Sequence, residues 1–214
     1  LDWTGDGHSD LMARTPDGQL LLYYGTGLYS QSSMPALGGL VTSIGSGWAG
    51  FAKVFRVQNW NGDNTESVLA LRTNGDLVQY RGDGEGNFTT GTAELIGTGW
   101  TMFSDIMVTN NWTGNGRPNL LGRKPNGDLF LYTSNGAGGW MNNGVGIRIG
   151  TGWSMFNTVL TPGTWLGDGH PVLIGRTPAG QLLMYEGNGA GGWVTGIGVL
   201  IGTGWNSFTR IMSP

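Results

Sequence analysis

Four tryptophans mark this chain at nearly even intervals. Each closes a Gly-Thr-Gly-Trp tetrapeptide, or once Gly-Ser-Gly-Trp, at Trp48, Trp100, Trp153 and Trp205, and each is followed three residues later by Phe51, Phe103, Phe156 or Phe208. The chain is therefore four copies of one unit of roughly 52 residues, and such a period implies a repeat architecture rather than an irregular domain. A binding site built by one copy is expected to recur in the others. The copies also supply an internal comparison, since a residue held in all four serves the unit and one held in a single copy marks a departure.

Repeat four gives the template. Gly163 to Gly169 reads as a Gly/Asp-rich loop, Val172 to Arg176 as a short apolar strand, and Thr177-Pro-Ala-Gly180 as a turn. Strands are expected at Gln181 to Tyr185, at Gly198 to Ile201 after a glycine loop, and at Phe208 to Met212. The second element recurs as Asp10 to Arg14, Val68 to Arg72 and Asn119 to Arg123. No segment holds a helical period over ten residues.

Glycine fits this pattern. It supplies 42 of 214 residues, about three times its usual share of about 7%, without a Gly-X-Y period and alongside ten tryptophans. Turns between many short strands account for it. The fold class expected is all-β, a β-propeller of four repeated four-stranded blades, with a fragment of a larger ring as the variant. The chain reads as a single propeller domain over 1-214, with repeats 2-58, 59-110, 111-162 and 163-214. A β-trefoil would want three units. Phe208 to Met212 is expected to complete the blade begun by residues 2 to 48.

Charge and chemistry exclude several functions. A net charge of -3 with no Lys/Arg cluster offers no basic face for nucleic acid. No apolar run reaches the roughly 20 residues of a membrane helix. Cysteine is absent, which removes disulfides, thiolate metal sites and a Cys nucleophile. There is no Gly-x-Ser-x-Gly elbow and no His-x-x-x-His spacing. Leu1-Asp2 does not resemble a native start, so the chain reads as a product of a longer precursor; few Lys and abundant Gly, Trp, Thr and Asn suggest an extracellular protein.

The motifs resemble a known pattern. Phe-x-x-Ile/Val, Asp-x-x-Gly-Asp-Gly-x-x-Asp and Leu-x-Ala-Arg are similar to the FG-GAP (VCBS) repeat of secreted propellers, Psathyrella-type lectins and integrin heads. Leu-x-x-Tyr, a glycine loop with Trp, and Ile-Gly-x-Gly-Trp-x-x-Phe resemble the units of tachylectin-2. The resemblance implies a β-propeller, and its lectin members imply binding of N-acetylglucosamine-type sugars between blades.

Three sets of residues carry the site expectations. In Asp2-Trp-Thr-Gly-Asp6-Gly-His8-Ser-Asp10, oxygen donors alternate around Gly7, so Asp2, Thr4, Asp6 and Asp10, with the carbonyl of His8, could hold Ca2+. Later copies lose carboxylates, which points instead to Asx turns holding the loop. His8 and His170 share one loop position and read as surface. Trp140 and Trp193 lie on Asn-Gly-Ala-Gly-Gly-Trp loops, and Phe88 has the same offset from its tyrosine. An aromatic there suits a sugar ring, with Asn135, Asn188 and Asp83 as hydrogen-bonding partners; the alternative is that these rings cover a blade edge. Repeat one departs, with residues 26 to 40 longer and Tyr29 out of register. Arg14, Arg72, Arg123 and Arg176 recur in all four copies, either bridging blades through a carbonyl or carboxylate or, as Arg72, Arg123 and Arg176 in interblade pockets, donating to sugar hydroxyls. Trp48, Trp100, Trp153, Trp205, Trp3, Trp60, Trp112 and Trp165 are read as packing residues.

The function expected is a non-catalytic, secreted, lectin-like module for N-acetyl amino sugars or related glycans, with no cofactor unless Ca2+ occupies the first loop. The alternative is a structural or protein-interaction propeller cut from a larger secreted enzyme or surface protein.

Overall fold

Short apolar runs separated by glycine turns leave the backbone one economical way to satisfy its hydrogen bonds, which is antiparallel pairing of sequential strands. The computed structural model describes residues 2–27 and 37–211, and among these every regular element is a strand or a single 3-10 turn. No helix among them is long and apolar enough to cross a membrane, which says nothing of a β-barrel.

The chain divides into two compact units, Leu1–Thr101 and Met102–Pro214. The first holds a sheet of β1 (Leu11–Arg14), β2 (Leu20–Gly25) and β3 (Leu37–Gly45), and a sheet of β4 (Phe51–Gln58), β5 (Glu66–Arg72), β6 (Leu77–Arg81) and β7 (Glu94–Gly97). The second holds β8 (Asp105–Asn110), β9 (Pro118–Arg123), β10 (Leu129–Thr133) and β11 (Ile147–Gly150), then β12 (Thr158–Gly163), β13 (Val172–Arg176), β14 (Leu182–Glu186) and β15 (Val199–Gly202). Within each sheet the strands lie in sequence order, and every pairing is antiparallel. These sheets are propeller blades, and the fold class is that of a four-bladed β-propeller.

One expected strand differs. Phe208 takes the extended backbone of Phe51 and Phe156, yet Phe208–Ile211 form no strand, and Met212 lies outside the described residues. The first sheet accordingly has three strands among those described.

Burial follows strand position. The second strand of a full blade is covered on both faces: Val68, Leu69 and Ala70 in β5, Leu120 and Leu121 in β9, and Val172 and Leu173 in β13 are all fully buried. Such strands read as continuous apolar runs. In the first unit, Trp3, Leu20, Leu22 and Trp48 pack with Val68, Ala70 and Val78, so the core lies between its two sheets. In the second, Met107, Trp112, Leu121, Leu129 and Leu131 pack with Trp153, Phe156, Val159 and Leu173.

Both glycines and the tryptophan of the tetrapeptide have a mechanical reason. Gly47, Gly152 and Gly204 take φ of 81°, 78° and 78°, the left-handed region that glycine enters without strain. The earlier glycine of each motif lies under the indole: a Cβ on Gly45, Gly97, Gly150 or Gly202 would stand 2.4 to 2.6 Å from the tryptophan Nε1. The main-chain N–H of each tryptophan donates to the carbonyl of the glycine that turns the second strand into the third, as Trp48 to Gly18, Trp100 to Gly75, Trp153 to Gly127 and Trp205 to Gly180, all at 2.9 to 3.0 Å.

Candidate functional site

The recurrent arginines face main chain. Arg14 Nη1 donates to the carbonyls of Trp48 and Phe51, Arg123 Nη1 to those of Trp153 and Phe156, and Arg176 Nη1 to those of Trp205 and Phe208, each pair at 3.0–3.1 and 2.6 Å. Arg176 also holds Asn157 Oδ1 and Thr158 Oγ1. One guanidinium thereby fixes the crossover that leaves an outer strand. Arg72 sits 3.8 Å from Asp76. Neither Arg123 nor Arg176 lines the two aromatic cavities described below. In both, Nη1 is committed to carbonyls, while the buried Arg123 Nε has no hydrogen-bond partner among the described residues.

Beside these crossovers lie two matching cavities, one in each unit. In the first unit, Ile44, Gly45, Ser46, Trp48, Tyr80, Phe88 and Gly91 enclose about 260 Å³. In the second, Ile149, Gly150, Thr151, Trp153, Tyr185, Trp193 and Gly196, joined by Gly152, Met155 and Phe156, enclose about 320 Å³. The first seven residues of each correspond position by position. The ring geometry is also reproduced. Trp48 stacks on Phe88 at 5.7 Å and 21°, Trp153 on Trp193 at 5.4 Å and 23°, and Tyr80 and Tyr185 each lie 4.7 Å from the respective tryptophan. Burial raises the hydroxyl pKa of Tyr185, so it stays a donor at neutral pH.

Trp193 and Phe88 thus leave their glycine loops and enter the space between blades. Each loop is brought back by a bridge, Gly82 with Phe88 and Gly187 with Trp193, and Trp193 Nε1 donates to the carbonyl of Ile149 at 2.6 Å. Trp140 makes the same bridge, with Ser134, and meets Tyr132 edge-on at 5.7 Å. The expected polar partners turn inward. Asn135 Oδ1 accepts from Ala137 and Gly139, Asn188 Oδ1 from Ala190 and Gly192, and Asp83 Oδ1 from Glu85 and Asn87. These residues cap the loops that aim the aromatics. Tyr29 lies outside the described residues.

Trp48 and Trp153 are packing residues as expected, buried at 3% and 4% exposure in the core of their units, and each also borders one cavity. Trp3, Trp60 and Trp112 are fully buried, whereas Trp165 is 60% exposed.

The first loop spends its carboxylates on N–H groups. Asp2 accepts from Gly5 and Gly7, Asp6 from His8, and the buried Asp10 from Trp3, Thr4, the Thr4 hydroxyl and Gly25. Burial pushes the Asp2 carboxyl up, but the N–H groups of Gly7 and Gly5 outweigh it and leave Asp2 below the usual carboxylate range. The acidic groups of Asp2, Asp6 and Asp10 do not converge as a metal cluster. This is the arrangement of an Asx-turned loop.

Repeated antiparallel sheets, with aromatic cavities and capped loops within each unit, define a β-propeller. Among solved structures, a chain of the Photorhabdus luminescens Tc holotoxin pore superposes with a TM-score of 0.56 at 15% identity, covering 94% of this chain and 9% of that one. At that identity the likeness is one of fold. The chain spans less than a tenth of that neighbour's length. No family model and no curated protein matches the chain.

Proposed function

We propose that the chain is a non-catalytic, extracellular binding module that takes N-acetyl amino sugars, or glycans that carry them, in its aromatic interblade cavities. The observation behind this reading is the repetition of one cavity, with the same rings at the same angles, in the two units. Volumes near 300 Å³ lie at the small end of ligand sites, about 300–1,000 Å³, and suit a monosaccharide rather than a long chain. Indole and phenyl walls suit the apolar C–H face of a sugar or an acetyl methyl, while the Tyr80 and Tyr185 hydroxyls can serve its oxygens. Each site would be weak, and two on one chain would gain through multivalency.

Titration of the chain with N-acetylglucosamine and its β-1,4 oligomers, followed by tryptophan fluorescence, tests the reading. Saturable quenching is expected, and Trp193→Ala should remove the component from the larger cavity. No saturable change up to millimolar sugar would reject it.

A second reading, a protein-docking propeller, has its own observation. The outermost strands carry exposed apolar side chains, Leu95 on β7, Ile147 on β11, and Val199, Leu200 and Ile201 on β15. Soluble monomers seldom display such rows without a partner. Charged substitutions at Val199 and Ile201 should leave sugar titrations unaltered and abolish any protein association.

A further inference from the structure

Repeat four departs from its siblings at one exposed place. Asp168 and His170, on the loop before β13, meet Glu186 at the end of β14, so that one donor atom from each lies within 4.8 Å of the others. His170 Nδ1 is 3.8 Å from Asp168 Oδ2 and 4.0 Å from Glu186 Oε1. The other Asp168 oxygen accepts from the His170 N–H at 2.9 Å, and this bond holds Oδ2 towards the imidazole.

The other copies show what this place does otherwise. The position of Glu186 is held by Tyr24, Arg81 and Thr133, and that of Asp168 by Asp6, Asp63 and Asn115. In repeat two, Arg81 Nη2 lies 3.6 Å from Asp63 Oδ2, an ordinary ion pair. Repeat four replaces the cation of that pair by a second carboxylate and adds an imidazole between the two. Two like charges held together favour a bound cation.

We propose that Asp168, His170 and Glu186 form a site for a transition-metal dication, Zn2+ in the first instance. Imidazole with carboxylates suits Zn2+, Cu2+ or Ni2+ and is foreign to Ca2+, which takes oxygen ligands. Bonds of about 2.0–2.2 Å at tetrahedral angles set neighbouring donors about 3.4 Å apart. The separations of 3.8 and 4.0 Å from His170 need to close by about 0.4 and 0.6 Å to reach that spacing, the Asp168 and Glu186 donors already lie within 4.8 Å, and the His170 and Glu186 side chains, 42% and 31% exposed, have room to turn inward. Three protein ligands leave the fourth position to water. Glu186 follows the cavity residue Tyr185 and, by strand alternation, faces the other way, so the metal site stands apart from the sugar cavities.

Zn2+ titrated into the whole chelator-treated chain at pH about 7.5, by calorimetry and thermal shift, is the test. One site and a Tm that rises with Zn2+ are expected, because a ligand held by the folded state alone stabilises it. His170→Ala and Glu186→Gln should each weaken binding tenfold or more, His8→Ala should leave it unchanged, and equal Ca2+ should not substitute. Glu186→Arg, which recreates the pair of repeat two, should fold and lose the Zn2+ response. Absence of saturable binding at about 1 mM Zn2+, or equal binding by wild type and His170→Ala, would overturn the proposal.

Discussion

At the scale of single residues, Arg176 joins more groups than any apolar side chain can. Its Nη1 serves two carbonyls while Nε and Nη2 hold Asn157 and Thr158, and removing it strands acceptors in a site where the residue is only 8% exposed. Arg176→Ala should cost about 2–4 kcal/mol in urea unfolding, given about 1–3 kcal/mol for each buried group left unsatisfied. Arg176→Lys should recover little, since a point charge cannot reproduce the fork. Asp10 makes a parallel case, and Asp10→Ala should cost about 2–4 kcal/mol, equally in Ca2+ and in chelator if its bonds to N–H groups are its role. Asp2 adds a pH term. Its folded pKa is lowered, so its contribution is present above the unfolded value and lost as pH falls through the folded one; Asp2→Ala should flatten the acid limb of a stability-against-pH curve.

At the scale of elements, the strands were largely legible. Val172–Arg176 is β13 as read, and the two strands after it are displaced by one residue, because a glycine turn at each end leaves an apolar run little room to slide. Phe208–Ile211 was not legible: its pattern is that of β4, β8 and β12, but the backbone partners that make a strand belong to tertiary structure. The site was half legible. The offset of Phe88 and Trp193 from their tyrosines placed both on equivalent loops, but nothing in the spacing shows that Gly187 and Gly82 pull those loops inward. Asn135, Asn188 and Asp83 were assigned to the ligand because a side-chain amide or carboxylate reads alike whether it caps its own loop or faces outward. Glycines under aromatic rings give the sharpest test at this scale. A Cβ on Gly198 would lie 2.6 Å from the Tyr185 ring, and one on Gly175 equally close to Phe156. Gly198→Ala should displace Tyr185, cost about 1–3 kcal/mol as overpacking does, and alter the near-ultraviolet circular dichroism of the aromatic cluster.

For the molecule as a whole, repetition decides how binding is counted. Two cavities of one design among the described residues predict at least two sugars per chain, with unequal affinities because one wall is Trp193 and its counterpart is Phe88. Trp193→Phe should therefore make these two sites more alike and bring their phases of the titration together, while Phe88→Ala should remove one of them.

The arginine fork carries a last consequence. Each of its three described examples binds carbonyls only 29 to 37 residues further along the chain. The fastener and its catch therefore travel in one stretch of gene, and a duplication that copies that stretch delivers a finished hinge along with the new blade. The number of blades could therefore change without a new joint.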